Sequence, residues 1–373
     1  MSGVHHPAED GRTTGPVTSR SWWIYRGTGQ PLADIRLGDV LPKPPGWRSF
    51  DGGPALPPVP ADSAETDRRL GPAGRATPRQ DAHDIDLVNT ALLLRRPLLV
   101  TGRPGIGKST LAYLVARELG LGRVLHWGIT SRSTLRSGLY EYDAIGRAQA
   151  SLGHLRPGAA PDPAPGAVPE PGAPEGAPEP GARIGDFIRL GPLGTALLPY
   201  ELPRVLLIDE LDKSDIDLPN DLLHVLDNGT YTIPELVRAR RREPVSHVHT
   251  DDPDGTVPVV DGLVRCRAFP FIVITSNGER QFPPAFLRRC VRLDVSPPRE
   301  DQLAAMITAH FQDHEGRHDR LVREFVERSR DHGGLAADQL LNAVYLRTAG
   351  VRGDDKAWNE LLDALWRRLS GAP

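Results

Sequence analysis

Hydrophobic and polar positions along the middle of the chain follow two different periods, in alternating order. Apolar side chains recur at helical spacing over 85–93 and again over 111–119. Short, continuous apolar runs at 98–101 and 124–127 instead predict strands that are buried on both faces. The resulting order of helix, strand, glycine-rich loop, helix and strand predicts an α/β fold whose parallel sheet is flanked by helices.

Further elements with the same periods follow along the chain. They are strands at 204–208 and 271–275, a helix at 218–226, and two strand-like segments at 230–233 and 263–267. We interpret the last two as the arms of a hairpin, with a long excursion between them at 238–261. Together these elements define an α/β domain at 81–297.

A change to purely helical periodicity follows Pro297 and Pro298. Apolar residues then recur at helical spacing in four segments, at 301–311, 320–330, 336–347 and 356–369. We expect a small C-terminal α-helical domain at 298–373.

The remaining segments differ from these domains in composition. The polar segment 1–20 is predicted to be a disordered tail, 51–80 a Pro/Gly linker, and 156–183 a disordered Pro/Ala/Gly insertion on a surface loop. The segment 21–50 holds half of the six tryptophans. Since aromatic side chains are seldom left in a loose tail, this aromatic arm is expected to pack, either on its own domain or on a partner.

Composition limits the class of protein. The chain has 373 residues, is 39% hydrophobic and carries a net charge of −3, so neither nucleic acid nor a membrane is required as a partner. No apolar run approaches the ~20 residues of a membrane span, and the amino terminus lacks the apolar centre of a signal peptide. The two cysteines, Cys266 and Cys290, are expected to be reduced. These features predict a cytoplasmic protein.

The loop after the first strand has a pattern typical of phosphate binding. Glycine, four residues, glycine, lysine and serine follow one another in Gly102, Arg103, Pro104, Gly105, Ile106, Gly107, Lys108, Ser109 and Thr110. Glycines let backbone N–H groups surround phosphate oxygens, and the following helix points its positive end at them. In this pattern Lys108 contacts the β- and γ-phosphates and the Ser109 hydroxyl binds Mg²⁺.

Two acidic residues follow the third predicted strand. An apolar run that ends in Asp209 and Glu210 places carboxylates beside the phosphate loop, because parallel strands share a carboxyl edge. We predict that Asp209 holds Mg²⁺ through water and that Glu210 acts as a general base for the attacking water. The alternative is an ordinary acidic helix start. Asp212 and Lys213 are interpreted as helix-start polarity.

Four ordered motifs together resemble those of AAA+ ATPases, and within them the MoxR-like group, which has a hairpin before sensor 1. The motifs are Gly-Arg-Pro-Gly-Ile-Gly-Lys-Ser-Thr at 102–110, Leu-Leu-Ile-Asp-Glu-Leu-Asp-Lys-Ser at 206–214, Phe-Ile-Val-Ile-Thr-Ser-Asn-Gly at 271–278 and Phe-Pro-Pro-Ala-Phe-Leu-Arg-Arg-Cys at 282–290. The likeness extends over about 81–347. It implies a P-loop fold with a C-terminal lid domain, and it is the reason to expect ATP rather than GTP.

The resemblance also implies roles for two further residues. Asn277 matches sensor 1, which positions the attacking water, although a polar residue there is also a turn former. Arg289 stands where the family places an arginine finger, which reaches the neighbouring subunit's site; the adjacent Arg288 is the alternative. A finger supplied by a neighbour implies a homo-oligomeric ring, most often a hexamer.

One departure from the family concerns the lid. Its members usually carry a sensor-2 arginine at the start of a lid helix, but this chain reads Leu-Ala-Ala-Asp-Gln-Leu-Leu at 335–341. Arg347 comes later in the same helix. The departure does not affect the expected nucleotide binding, and it argues against fast turnover.

Three functions follow as hypotheses. The first is a MoxR-like AAA+ ATPase that hydrolyses ATP with Mg²⁺ to remodel or regulate an unidentified protein partner. The second is a nucleotide-gated switch or scaffold with slow or no hydrolysis, which the missing arginine favours. The third is a nucleic-acid-linked motor, supported only by the basic cluster 238–242, which is otherwise a solvated loop. Nucleic acid is therefore not the expected partner.

Overall fold

The computed structural model describes residues 20–32, 36–75, 77–153, 183–311, 318–331, 335–351 and 355–366. Apart from Arg20 and Arg183, the predicted disordered tail and insertion lie outside these residues. In the described ranges no helix combines the length and apolarity that a membrane crossing requires.

The strands are numbered along the described chain. They are β1 (Leu98–Thr101), β2 (Leu125–Gly128), β3 (Tyr140–Tyr142), β4 (Ile188–Leu190), β5 (Val205–Asp209), β6 (Thr230–Thr232), β7 (Val245–His249), β8 (Thr256–Val260), β9 (Leu263–Arg265), β10 (Phe271–Ser276) and β11 (Val291–Asp294).

The α-helices are numbered in the same way. They are α1 (Leu37–Val40), α2 (Ser63–Leu70), α3 (Ala82–Leu94), α4 (Thr110–Leu119), α5 (Leu135–Leu139), α6 (Ala144–Gly153), α7 (Pro192–Ala196), α8 (Leu218–Asn228), α9 (Pro234–Ala239), α10 (Pro284–Leu287), α11 (Glu300–Phe311), α12 (Asp319–Asp331), α13 (Ala337–Thr348) and α14 (Asp355–Leu365). Short 3₁₀ helices occur at Gly46–Arg48, Ile184–Phe187 and Leu211–Lys213.

The central sheet is parallel, in the order β11-β1-β10-β5-β2. Successive residues of its strands pack into hydrophobic cores on opposite faces of the sheet. On one face Val205 and Leu207 pack with α3 and α4. On the other face Leu206 and Ile208 pack with α7 and α8. Both faces are thus covered, which explains why these strands read as continuous apolar runs. The predicted α/β fold with a parallel sheet is confirmed.

A second sheet lies over one face of the first, in the order β3-β4-β7-β8-β9-β6. The predicted hairpin arms do pair, as β6 and β9. The excursion between them, however, is itself a hairpin of β7 and β8. Its turn is attached to the parallel sheet by Asp252, which forms a two-bond ion pair at 2.8 Å with the buried Arg204 just before β5.

The C-terminal helices α11 to α14 surround a hydrophobic core of their own. Its members include Leu303, Phe325, Leu340 and Trp366, and the rings of Phe325 and Trp366 meet edge to face with their centres 5.4 Å apart. This arrangement agrees with the predicted small α-helical unit after the sheet.

The aromatic arm packs on its own chain. Trp23 and Tyr25 are buried in the core beneath α3, where Asn89 accepts from the backbone N–H of Tyr25 and donates to its carbonyl. Glu118 at the end of α4, which is 1% exposed, accepts from the backbone N–H groups of Arg26, Thr28 and Gly29 and from the Thr28 hydroxyl.

The segment 51–80 departs from the prediction of a linker. It contains α2, whose Leu70 is buried and whose Asp62 cap accepts from the Glu65 backbone at 3.0 Å. Gly52 donates to the Cys266 carbonyl, and Leu56 bridges to Tyr200. The composition did not predict the contacts of Gly52 and Leu56 because they use backbone groups, which Pro- and Gly-rich segments still possess.

Replacing Glu118 by alanine is expected to lower the free energy of unfolding by about 3 kcal/mol. The change removes the acceptor of four hydrogen bonds, among them the bond from the buried backbone N–H of Gly29 and those from the backbone N–H groups of Arg26 and Thr28. Chemical denaturation measures the loss, and the exposed Glu141 provides the matched control when replaced by alanine. Equal stability of the two variants would mean that the arm is not anchored at this position.

Candidate functional site

The glycine-rich loop connects β1 to α4 at the carboxyl edge of the parallel sheet. Gly105 has a φ of +76°, and a Cβ at this position would collide with Ala336 of the C-terminal helices. Only glycine satisfies both the left-handed backbone and the close approach. Gly105 therefore sets both the turn of the loop and its close contact with the C-terminal helices.

Lys108 lies buried inside this loop. Its amino group donates to the carbonyls of Gly102 at 2.9 Å and Arg103 at 2.8 Å, and to Asn277 Oδ1 at 2.7 Å. Burial lowers the pKa of Lys108, while nearby carboxylates, first Asp212, oppose the shift. The ammonium is thus held at the point toward which the loop curves.

Asp209 ends β5, beside the loop. One carboxylate oxygen accepts from the hydroxyls of Ser109 and Thr275, both at 2.6 Å, and the other lies 3.4 Å from His126 Nε2. Burial opposes ionisation, but the hydrogen bonds from His126, Ser109 and Thr275 outweigh it and lower the pKa of Asp209 to about 2. Asp209 is consequently an anion at neutral pH.

The oxygen atoms of Ser109 and Asp209 suit a magnesium ion. Mg²⁺ prefers hard oxygen ligands and keeps several waters, so it is bound through one or two carboxylates together with phosphates. The hydroxyl and the ionised carboxylate lie 2.6 Å apart at the base of the loop, where a metal bound to phosphate would meet both. The residues present therefore fit the predicted cofactor.

Glu210 points away from Asp209, because the backbone turns sharply between β5 and the following 3₁₀ helix. Its φ of +61° is unusual for a residue with a side chain, and its N–H donates to Thr275 Oγ1 at 2.8 Å. The half-exposed carboxylate accepts from Lys213 Nζ at 2.6 Å and from Asn277 Nδ2 at 3.4 Å. This strained turn aims Glu210 across the mouth of the loop.

Asn277 connects the two halves of the site. It follows β10, which lies between β1 and β5, and its side chain contacts both Lys108 and Glu210. The structure thus brings together Lys108, Ser109, Asp209, Glu210 and Asn277, as the sequence predicts.

Asp212 holds the Asn277 segment in place, a contact that the sequence interpretation missed. It is 3% exposed, and one carboxylate oxygen accepts from the backbone N–H groups of Asn277 at 2.9 Å and Glu279 at 3.1 Å. The other oxygen is buried without a hydrogen-bond partner among the described residues. The sequence offered one signal for this contact, an acidic residue close to Asp209. The direction of the Asp212 side chain, however, depends on the 3₁₀ turn at Leu211–Lys213.

Arg289 lies far from the loop of its own chain. It follows α10 and precedes β11, whose first residue is level with the start of β1, whereas the loop follows the end of β1. The strand between them is about 13 Å long. The Arg289 guanidinium donates three hydrogen bonds of 2.6–2.8 Å to the Asp227 carboxylate. The neighbouring Arg288 is exposed, and its carbonyl accepts from Arg96.

The C-terminal helices contact the loop directly. The Ala337 N–H, at the start of α13, donates to the Gly105 carbonyl at 2.9 Å, and Ala336 lies against Gly105. The place expected for a sensor-2 arginine is thus occupied by alanines. Arg347 is exposed near the far end of α13, about 15 Å along the helix axis.

Comparisons with known proteins give limited information. No family model matches the chain, and no curated protein matches it. PCH-2 from C. elegans is 13% identical over 82% of this chain and 73% of its own, with a TM-score of 0.37. Two variants of Thermotoga maritima RuvB are 11% and 12% identical over 76% of this chain and 67% and 68% of theirs, with TM-scores of 0.35 and 0.37. Likenesses at this level carry no argument, so the function has to be inferred from the site itself.

Proposed function

We propose that this chain is a P-loop ATPase of the AAA+ type, which binds and hydrolyses ATP with Mg²⁺. The observation that supports this most is the hydrogen-bonded cluster at the carboxyl edge of the sheet. Lys108, Asn277 and Glu210 form one continuous chain of contacts across the loop, and Ser109 with Asp209 forms an anionic oxygen pair beneath it.

Each residue has a task that its environment supports. The backbone of 102–110 and Lys108 bind the β- and γ-phosphates, and Ser109 and Asp209 hold the magnesium ion. The ion supplies charge neutralisation of the phosphate oxygens. Glu210 accepts a proton from the attacking water, and Asn277 orients that water by its amide group. Asp212 is a positioning residue, since it fixes the backbone on which Asn277 stands.

The active unit is proposed to be a homo-oligomeric ring, with a hexamer as the expected form. Arg289 is too far from its own loop to stabilise charge there, so it serves the loop of a neighbouring copy. The target is proposed to be an unidentified protein that is remodelled or regulated, as the resemblance to the MoxR-like group implies. The site of action is expected to be the cytoplasm.

A nucleotide-gated switch with slow hydrolysis is the second candidate. Its support is the contact of Ala336 and Ala337 with Gly105, because alanine provides no charge that would respond to the γ-phosphate.

A nucleic-acid motor has weaker support. Arg238 in the last turn of α9 and Arg240–Arg242 after it are exposed, but an exposed basic segment in an arginine-rich chain is commonly only solvated.

Replacing Lys108 by alanine is expected to weaken ATP binding at least about 100-fold and to abolish phosphate release, since the main cation of the loop is lost. Isothermal titration with Mg²⁺-ATP and steady-state phosphate release measure the two effects. Lys356→Ala is the matched control, because Lys356 is exposed on α14. Wild-type affinity in the Lys108 variant would contradict the assignment of the loop.

A gel-shift experiment distinguishes the nucleic-acid motor from the other two candidate functions. Duplex and single-stranded DNA are titrated at several salt concentrations with the wild type and with a variant whose arginines at 238, 240, 241 and 242 are replaced by glutamine. We expect no specific binding in either case. Strong, salt-dependent binding that this variant loses would instead favour the nucleic-acid motor.

A further inference from the structure

Thr275 lies near the end of β10, and its hydroxyl is buried between the two acidic residues that follow one another at the end of β5. The residue is 1% exposed. Its Oγ1 lies 2.6 Å from Asp209 Oδ1 and 2.8 Å from the backbone nitrogen of Glu210. A single hydroxyl group therefore contacts both the proposed magnesium ligand and the proposed base.

These two contacts fix the direction of the hydroxyl proton. A backbone N–H can only donate, so Thr275 Oγ1 is the acceptor in the bond from Glu210. The Asp209 carboxylate is an anion at neutral pH and can only accept, so the Thr275 proton points to Asp209 Oδ1. The hydroxyl consequently links the backbone of Glu210 to the side chain of Asp209 through two bonds of defined direction.

On Asp209 the Thr275 proton shares one oxygen with the proton of Ser109, which also donates at 2.6 Å. Rotation of the carboxylate would break both bonds, so the two hydroxyls together hold it in one orientation. Because the Ser109 proton is directed to Asp209, the lone pairs of the Ser109 oxygen stay available for a cation. Thr275 thus supports the oxygen pair that is proposed to hold Mg²⁺ from the side opposite to Ser109.

On Glu210 the hydroxyl captures a backbone group at the point where the chain leaves the sheet. The pairing of β10 with β5 runs up to Ile274 and Ile208, and Glu210 then turns with a φ of +61°. A residue with a side chain keeps this conformation only where its surroundings require it. The bond from the Glu210 N–H to Thr275 is such a requirement, so the direction of the Glu210 carboxylate depends on the hydroxyl.

We propose that Thr275 is a positioning residue that couples the two halves of the site. Through Asp209 it orients the oxygen pair for Mg²⁺, and through the backbone of Glu210 it aims the base at the attacking water. This inference deepens the proposed function and rests on it, because it takes Asp209 and Glu210 to have the roles given above. A hydroxyl that only satisfied buried polar groups would support the fold and leave both roles unchanged.

Three variants of the full chain separate these possibilities. Thr275→Val removes the hydroxyl and keeps a branched side chain of similar size, whereas Thr275→Ser keeps the hydroxyl and removes the methyl group. Thr195→Val is the matched control, since Thr195 is 0% exposed and its hydroxyl accepts from the backbone N–H of Asp251 at 2.9 Å. Asp251 stands next to the Arg204–Asp252 ion pair, at the start of β5 rather than at its end.

Isothermal titration with ATP in EDTA and in Mg²⁺ measures how much affinity the metal adds. For Thr275→Val we expect wild-type affinity in EDTA, and a loss of about 10-fold in the gain from Mg²⁺, which is the usual scale for a residue that orients a metal ligand. Thr275→Ser is expected to stay within about threefold of the wild type. Thr195→Val should match the wild type in both titrations, and chemical denaturation compares the stability of all three variants.

Phosphate release at saturating Mg²⁺-ATP tests the other half of the coupling. Turnover is expected to fall about 10- to 100-fold in Thr275→Val and to recover in Thr275→Ser. When Glu210→Gln is already present, Thr275→Val should slow turnover by less than about twofold more, because the base through which Thr275 acts is gone.

The outcomes keep this inference and the proposed function apart. If Thr275→Val equals the wild type in Mg²⁺ gain and turnover, the coupling is overturned and the ATPase stands. A loss that Thr275→Ser does not restore, or that Thr195→Val reproduces, also overturns it, since Thr275 then serves only the fold. A wild type that gains no affinity from Mg²⁺ and releases no phosphate overturns both proposals. In a wild type that binds Mg²⁺-ATP without releasing phosphate, loss of the Mg²⁺ gain in Thr275→Val alone supports the link to Asp209 and removes the proposed hydrolysis.

Discussion

Replacing Glu210 by glutamine is expected to slow phosphate release at least about 100-fold while ATP still binds. Glutamine keeps the shape of the side chain and its contact with Asn277, but it has no basic oxygen with which to accept a proton from water. Ser109 and Asp209, the proposed magnesium ligands, form their own pair and are untouched by the change. Steady-state phosphate release and equilibrium ATP binding, measured on the same preparation, separate turnover from affinity.

The control for this variant is Glu279→Gln, which removes an exposed carboxylate from the same edge of the sheet. It is expected to hydrolyse ATP at the wild-type rate. The same measurement separates the two leading functions. If the wild type is as slow as the Glu210 variant, the chain is a nucleotide-gated switch and the reading of Glu210 as a base is wrong.

Replacing Arg289 by alanine is expected to reduce turnover about 1,000-fold, which is the scale of catalysis by an arginine supplied to developing phosphate charge. The affinity of a single chain for ATP is expected to stay unchanged, because Arg289 lies at the other end of β1 from its own loop. Stability should change little, since the ion pair with Asp227 is partly exposed.

Arg288→Ala is the matched control for Arg289, as it removes the adjacent and exposed guanidinium. Phosphate release that drops in Arg288→Ala and not in Arg289→Ala would exchange the roles of the two residues. Full activity in both variants would mean that neither arginine acts as a finger. The main reason to expect a site shared between copies would then be lost.

Much of the central fold could be predicted because its signals are local. The apolar run at 98–101, the glycine pattern at 102–110 and the helical period that follows are contained in a few adjacent residues. The strand that ends in Asp209 is recognised in the same way, since a parallel strand buried on both faces needs no distant partner to be identified. Wherever the structure follows such local patterns, sequence and structure agree.

The second sheet was predicted only in part, as the pair of β6 and β9, and the edge at which β4 joins β7 was missed because it pairs distant segments. β4 is three residues long and pairs with β7 through Arg189 and His249, which are 60 residues apart in the chain. Strand β11 was overlooked for a related reason, as it is short and has only one fully buried side chain, Leu293. Short strands of this kind are specified by their neighbours more than by their own composition.

The site was predicted where chemistry follows from residue type, and missed where it follows from backbone direction. Lys108 and Asp209 are recognisable by their motifs, but the supporting contact of Asp212 depends on how the chain turns after β5. The contacts of Thr275 and His126 with Asp209 depend on which strands lie beside β5.

The most direct test of a hydrolytic site shared between copies is a mixture of two inactive variants. Glu210→Gln and Arg289→Ala are co-expressed with different tags, co-purified and assayed for phosphate release with Mg²⁺-ATP. A site that takes Glu210 from one copy and Arg289 from the next is restored in about a quarter of the contacts of a random ring. We therefore predict that the mixture recovers about a quarter of wild-type activity. A co-purified assembly that is as inactive as either variant alone would contradict the account.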